Sequence, residues 1–284
     1  AQALQALRAA RATGQAALAQ GPSPLQAGQM YQDLASRALA VHALDKQGVW
    51  AVMGWPQDDV LHDYRHRPLQ VMHGVLQRLL QALDADASME HIEQLLGEDV
   101  LLCYRLLRFV NSVGMESASE ITSLRHGLMV LGYARLATWL TSLQAHSNRD
   151  INLLPLHQSL VLRARLMAQF LEAGESEELR HELCLCGLLS HMDWINDEPM
   201  HQVLGRLPLS PRIQAALLRH SGPYYPYLAM ATALEDEQGS ASRVYARFHF
   251  SRTHVHTSLL QVLARACSAL PHRSMAAERD AVLA

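Results

Sequence analysis

The sequence predicts a mostly α-helical protein: a multi-helix bundle with a small N-terminal extension that contains helices and at most a short strand. Three observations predict it. Leu and Ala dominate while only four Phe occur, a composition that favours helix formers over the β-branched and aromatic residues of sheets. Apolar residues recur at three- and four-residue steps in one segment after another. Ser, Thr, Gly and Pro punctuate these segments where helix caps and stops belong. With 284 residues there is room for one main domain of about 200 residues and an appendage.

Taken in order, Ala1 to Gln20 and Leu25 to Asp45 read as two helices separated by Gly21-Pro22-Ser23-Pro24, a cluster that cannot continue a helix. Gly48 to Trp55 is the one β candidate, short, apolar and bounded by glycines. The polar run Asp58 to Pro68 reads as a linker, which sets the extension at 1–67 and the main domain at 68–270, with 271–284 as a tail. Within the main domain, Leu69, Met72, Val75, Leu76, Leu79, Leu80 and Leu83 fall on one face of a helix. Ser88 caps a short helix that stops at Gly97, and Val100 to Val110 is a core helix ending near Asn111-Ser112. Thr122 or Ser123 caps Leu124 to Leu131, and Gly132 separates it from the next helix at Tyr133. Further helices are expected over Leu156 to Ala173, Glu177 to Ile195, Met200 to Arg206, Pro211 to His220, Tyr227 to Glu237 and Ser251 to Ala269.

The net charge of −3 offers no broad basic field, so nucleic acid is not an expected partner. Cys103, Cys184, Cys186 and Cys267 sit in Leu/Ala-rich runs, where a thiol packs as a small hydrophobe, and a reducing cytoplasm suits them. No stretch approaches the ~20 apolar residues of a membrane span, and the first twenty residues lack an apolar signal core. Neither membrane insertion nor export is expected. The chain begins at Ala1 without an initiator Met, which fits a fragment, and the sequence leaves open whether a receiver or EAL domain stands upstream.

The run Leu106-Leu-Arg-Phe-Val-Asn-Ser-Val-Gly114, then Ile121-Thr-Ser-Leu-Arg-His-Gly-Leu-Met-Val-Leu-Gly132 and Tyr133 to Leu140, resembles the signature region of HDOD domains, an HD-related output family. Cys186-Gly-Leu-Leu-Ser190, Leu207-Pro-Leu-Ser-Pro211 and Ala216-Leu-Leu-Arg-His220-Ser-Gly-Pro223 are similar to the C-terminal part of bacterial EAL-HDOD signalling proteins. The resemblance covers roughly 68–269 and departs from the family where Val100, rather than proline, follows Asp99. It implies an HD-like helical bundle acting as an interaction or output module in bacterial signalling related to cyclic di-GMP. The segment from Gly48 to Trp55 resembles the end of an EAL domain, and without a Glu-Ala-Leu signature or acidic metal cluster the resemblance implies a degenerate remnant.

An HD phosphohydrolase needs His and Asp side chains converging on a metal ion that activates water. Where the related catalytic domains read Gly-Leu-Leu-His-Asp, this chain reads Gly187-Leu188-Leu189-Ser190-His191. His191 and Asp193, two residues apart on the expected helix, point to different faces. Ser190, His191, Asp193 and His220 are therefore expected to mark a vestigial cleft with no catalytic residue, no metal and no cofactor. The literal pair His62-Asp63, with His66 and His42 nearby, lacks a second Asp at helical spacing and reads as polar surface. Cys184 and Cys186 are not a Cys-x-x-Cys pair, and neither a phosphate loop nor a Gly-x-Ser-x-Gly elbow occurs.

Asn111 and Ser112 read as helix-terminal groups bonding the backbone, and Trp139 and Trp194 as packed indoles. Tyr224, Tyr225 and Tyr227, flanked by prolines, are either a loop folded over the core or a partner surface. The sequence thus reads as a non-catalytic signalling scaffold with a protein partner. The alternatives are a divergent metal-dependent phosphohydrolase and a ligand sensor that keeps the cleft but not the chemistry.

Overall fold

A computed structural model describes residues 25–54, 56–64, 69–112, 121–150, 153–171, 174–235 and 240–269. The expected helix over Ala1–Gln20 and the tail from 271 lie outside them. The chain divides into two compact units, Ala1–Leu69 with Asp150–Leu156, and Gln70–Arg149 with His157–Ala284.

The first unit is built on a β-α-β turn of chain. Strand β1 (Met30–Gln32) pairs in parallel with β2 (Ala51–Met53), with Tyr31 opposite Val52, and α1 (Arg37–Asp45) crosses between them. Helix α2 (Gln57–Asp63) follows. Leu25, Leu34, Ala40, Ala43 and Val49 form its core. The single helix expected over Leu25–Asp45 is thus corrected. Gly28 at φ 74° and Asp33 at φ 55° bend the chain on either side of β1, and helix starts only where the Ser36 hydroxyl accepts from Leu39 N. The strand expected near Gly48–Trp55 finds the partner that sequence reasoning had placed in a helix. The expected linker is helical over Gln57–Asp63, with the first-turn residue Asp59 accepting from Arg37 N at 3.0 Å.

Among its described residues the second unit is built of helices, apart from an isolated bridge between Met72 and Asn148: α3 (His73–Asp84), α4 (Met89–Leu96), α5 (Val100–Val110), α6 (Leu124–Gln144), α7 (Leu154–Gln169, from His157 onward), α8 (Glu177–Leu189), α9 (Met192–Asn196), α10 (Met200–Leu204), α11 (Pro211–Arg219), α12 (Tyr225–Glu235), α13 (Ala241–Phe248) and α14 (Arg252–Ala269). Serine hydroxyls start α4, α6, α8 and α11 by accepting from His91, His126, Leu179 and Ile213 N–H groups. Gly132, at φ 71° and ψ 164°, interrupts α6 where two helices were expected. Helices α3, α4, α5 and α6 pack on one another through Leu76, Leu79, Ile92, Leu96, Leu102, Leu106, Leu107, Leu128, Leu136 and Leu140, all buried. Asn111 closes α5 by donating to Leu107 O (2.7 Å) and Ile121 O (2.9 Å) while accepting from Ile121 N (2.9 Å). Ser112 donates to Phe109 O at 2.7 Å.

Two expectations change here. The helix placed over Glu177–Ile195 is two, broken at Ser190-His191, and α13 has no counterpart among the expected elements. Helix α13 buries no residue completely, and its apolar stripe of Val244, Tyr245 and Phe248 is only half-covered.

Candidate functional site at the α8–α9 corner

The corner exists because two backbones touch. A Cβ added to Gly187 would lie 2.5 Å from Ala164 Cα and 3.0 Å from its N, so only glycine lets α8 approach α7 this closely. That contact brings Ser190, the last cap of α8, against Arg163 of α7. The Ser190 hydroxyl donates to Gly187 O at 2.7 Å and accepts from Arg163 Nη1 at 2.8 Å. Arg163 is 5 % exposed, and its Nε donates to Glu235 Oε1 at 2.8 Å while Nη2 donates to Oε2, a bidentate clamp from the last residue of α12.

His191 caps α9 and Asp193 lies in its first turn. Burial, together with repulsion from Arg163, pushes the imidazole down to about 4, against the opposing pull of Asp193. Trp194 meets the ring edge-on at 5.6 Å but is itself exposed, not packed inside as its sequence context suggested, because the helix break turns it outward. Asp193 Oδ1 is buried without a hydrogen-bond partner among the described residues.

His220 stands apart from this group. It caps α11 in the left-handed region, φ 50°, and stacks on Tyr225 at 5.6 Å with the planes 4° apart. Tyr225 begins α12 and Glu235 ends it, which separates their backbones by about 15 Å along the axis. The structure therefore gathers Ser190 and His191 by Arg163, with Asp193 beside His191, and leaves His220 at the far end of α12. Of the three tyrosines, Tyr224 turns inward, 1 % exposed, and donates to Glu182, so it offers no partner surface. Burial and that carboxylate push its phenol up to about 12. Tyr225 and Tyr227 are half-buried, the latter edge-on to Phe250 at 5.8 Å.

Among the described residues, no three His, Cys, Asp or Glu side chains converge so as to hold a metal ion. The donors at the corner do not fit one: a hydroxyl already used twice, an imidazole and one carboxylate beside a guanidinium whose charge repels a divalent ion. His62 and His42 are exposed in the first unit, while the side chains of Asp63 and His66 lie outside the described residues. Burial pushes the Cys184 and Cys186 thiols up to about 11 and 12, and Cys103 well above its usual value, which disfavours thiolate chemistry. No helix among the described residues is long and apolar enough to cross a membrane.

The HDOD domain family model matches residues 69–195, from the lead into α3 to the end of the α8–α9 corner. Residues 69–195 are thus similar to an HDOD domain. A stretch of 166 residues is 25 % identical to the cyclic di-GMP phosphodiesterase CdgJ of Vibrio cholerae, covering 58 % of this chain and 38 % of that protein. A stretch of 155 residues is 23 % identical to the uncharacterized protein YuxH of Bacillus subtilis, covering 52 % of this chain and 37 % of that one. The chain thus spans little more than a third of either relative. The crystal structure of the MmoQ response regulator from Methylococcus capsulatus superposes with a TM-score of 0.54 at 14 % identity, over 67 % of this chain and 97 % of that one, a likeness of fold.

The HDOD match contains Arg163, Ser190, His191 and Asp193, whereas Glu235 reaches the corner from beyond it. Sequence reasoning missed Arg163 and Glu235. The signal for Arg163 was present: it falls on the helical face of Leu160, Met167 and Phe170, where a charge is out of place. It also missed Asp99, which is fully buried within the segment that the HDOD family model matches. One oxygen of Asp99 accepts from Leu101 N (2.9 Å) and Leu102 N (3.1 Å), and the other from Met72 N (2.5 Å). His157 lies 3.9 Å from that carboxylate, held below its usual pKa by burial despite the neighbouring charge.

Proposed function

We propose that the chain is a non-catalytic signal-transduction scaffold whose output is regulatory protein–protein interaction. The supporting observation is the buried Arg163, clamped by Glu235 and hydrogen-bonded to Ser190, at the place where the resemblance puts the His-Asp pair of a catalytic HD domain. A guanidinium there bonds Ser190 and Glu235, repels a divalent ion and cannot activate water as a metal does. The module in this reading runs over 68–270, the extension over 1–67 is a remnant of an upstream domain, and the protein works in the cytoplasm.

A second reading, hydrolysis of a cyclic dinucleotide, is favoured by the name of one relative, the phosphodiesterase CdgJ. The two are separated by incubating the purified chain with cyclic di-GMP and Mg²⁺ or Mn²⁺ and following the nucleotides by chromatography. The scaffold reading expects the dinucleotide to persist; turnover lost in His191→Ala would replace it with the enzyme reading.

A further inference from the structure

Between Gln238 and Ala277 the sequence carries five arginines and not one Asp or Glu, which leaves nineteen basic and twenty-seven acidic residues for the rest of the chain, a net −8. The described part of this block is α13 and α14. Arg243 and Arg247 are exposed on α13, and Arg252 and His256 are exposed on α14. None of these arginines forms an ion pair among the described residues, whereas Arg78, Arg163, Arg165, Arg180 and Arg206 all do. Two of them rest instead on rings: Arg247 lies 5.1 Å over Phe248, and Arg252 lies 5.5 Å over Tyr245. Aromatic support of this kind holds a guanidinium outward with both edges free for carboxylates.

The same face of α14 continues into apolar surface. Arg252, His256, Leu260 and Leu263 are spaced at four, four and three residues, so they share one side of the helix. Leu260 is 68 % exposed and Leu263 41 %. Val255, Ser258 and Val262 hold the opposite side in the core. A basic end running into two bare leucines is the complement of an amphipathic helix with carboxylates at one end and apolar side chains along it.

We infer that the outer face of α13 and α14 docks an acidic amphipathic helix of a partner protein, with Arg247 and Arg252 pairing its carboxylates and Leu260 and Leu263 seating its apolar side. This deepens the scaffold reading and rests on it. A nucleic acid or an anionic membrane fits less well, because either extends past the basic strip and the rest of the chain carries net −8, whereas a short helix is confined to the strip.

The test measures fluorescence anisotropy of a labelled helical peptide built from Glu, Leu and Ala in heptad repeat, titrated with the full chain. Saturable binding is expected, weakened roughly tenfold or more by the Arg247→Glu/Arg252→Glu pair and by Leu260→Ser, but unchanged by Arg265→Glu on another side of α14. Circular dichroism confirms that each variant is folded. Absence of saturable binding, equal binding by the charge-reversed variant, or tighter binding of single-stranded DNA or phosphatidylserine vesicles through the same arginines would overturn the docking surface. These outcomes stand apart from cyclic di-GMP turnover, which bears on the scaffold reading and leaves the peptide result as it is.

Discussion

Glu235 grips both Nε and Nη2 of Arg163, and yet the two partners differ in their surroundings: the arginine side chain is 5 % exposed and the glutamate 38 %. The cation is therefore desolvated and depends on its anion more than the anion depends on it. The clamp ties α12 to α7, and through Ser190 to the corner that starts α9.

Removing Glu235 should cost more than removing both partners. Glu235→Leu strands a buried charge, a change worth about 3–5 kcal/mol in a dry core and roughly 2–3 kcal/mol here, where water reaches the carboxylate. The double variant Arg163→Met/Glu235→Leu, close in volume and free of charge, should regain most of it. Urea denaturation checks the order; equal losses in the single and double variants would mean that the ion pair is not the source.

Acid should destabilise the corner in a defined window. His191 is held down to about 4 in the folded chain, against an ordinary 6.5, so below 6.5 the unfolded chain binds a proton that the folded chain refuses. Stability then falls as pH drops from 6.5 towards 4 and levels off beneath, by up to roughly 3 kcal/mol at ~1.4 kcal/mol per pKa unit. Melts recorded across this range should show a shallower slope for His191→Gln. An unchanged slope would place the titration elsewhere.

Asp99 serves three backbone N–H groups from a fully buried position. Asp99→Asn keeps one acceptor oxygen but turns an amide N–H₂ towards donors, and should cost about 2–4 kcal/mol, beyond the ~1 kcal/mol of an ordinary cap. Thermal unfolding reads it directly. A loss within the range of a simple cap would show that the Met72 contact contributes little.

Gly187→Ala is expected to be worse than its chemistry suggests. Its methyl would press on the Ala164 backbone, for which no rotamer change makes room, at a cost of about 1–3 kcal/mol. Denaturation should show that loss, and the Ser190 amide should shift in the NMR spectrum as the corner opens. A silent substitution would mean that α7 and α8 can part without consequence.

Much of the helical bundle was legible because its caps are local chemistry: Ser88 and Ser123 each bond an N–H three residues on, and such signals lie within one turn of sequence. The α8–α9 break was not legible, since Glu177–Ile195 keeps its apolar rhythm through Ser190 and only the packing of Gly187 on α7 sets the corner's position. Strand β1 was missed because a parallel pair joins segments about twenty residues apart, and Met30–Gln32 has no alternation of its own. At the site, the absence of a His-Asp pair was readable from Gly187 to His191. The clamp was not, because Glu235 lies 72 residues beyond Arg163 and no short motif joins them.

The corner's defining feature is a fixed organic cation, and the direct measurement of it is metal content by mass spectrometry after the chain is equilibrated with Mn²⁺ and exchanged into buffer. Well below one ion per chain is expected for the wild type. One or more retained per chain, and released by His191→Ala, would contradict the account.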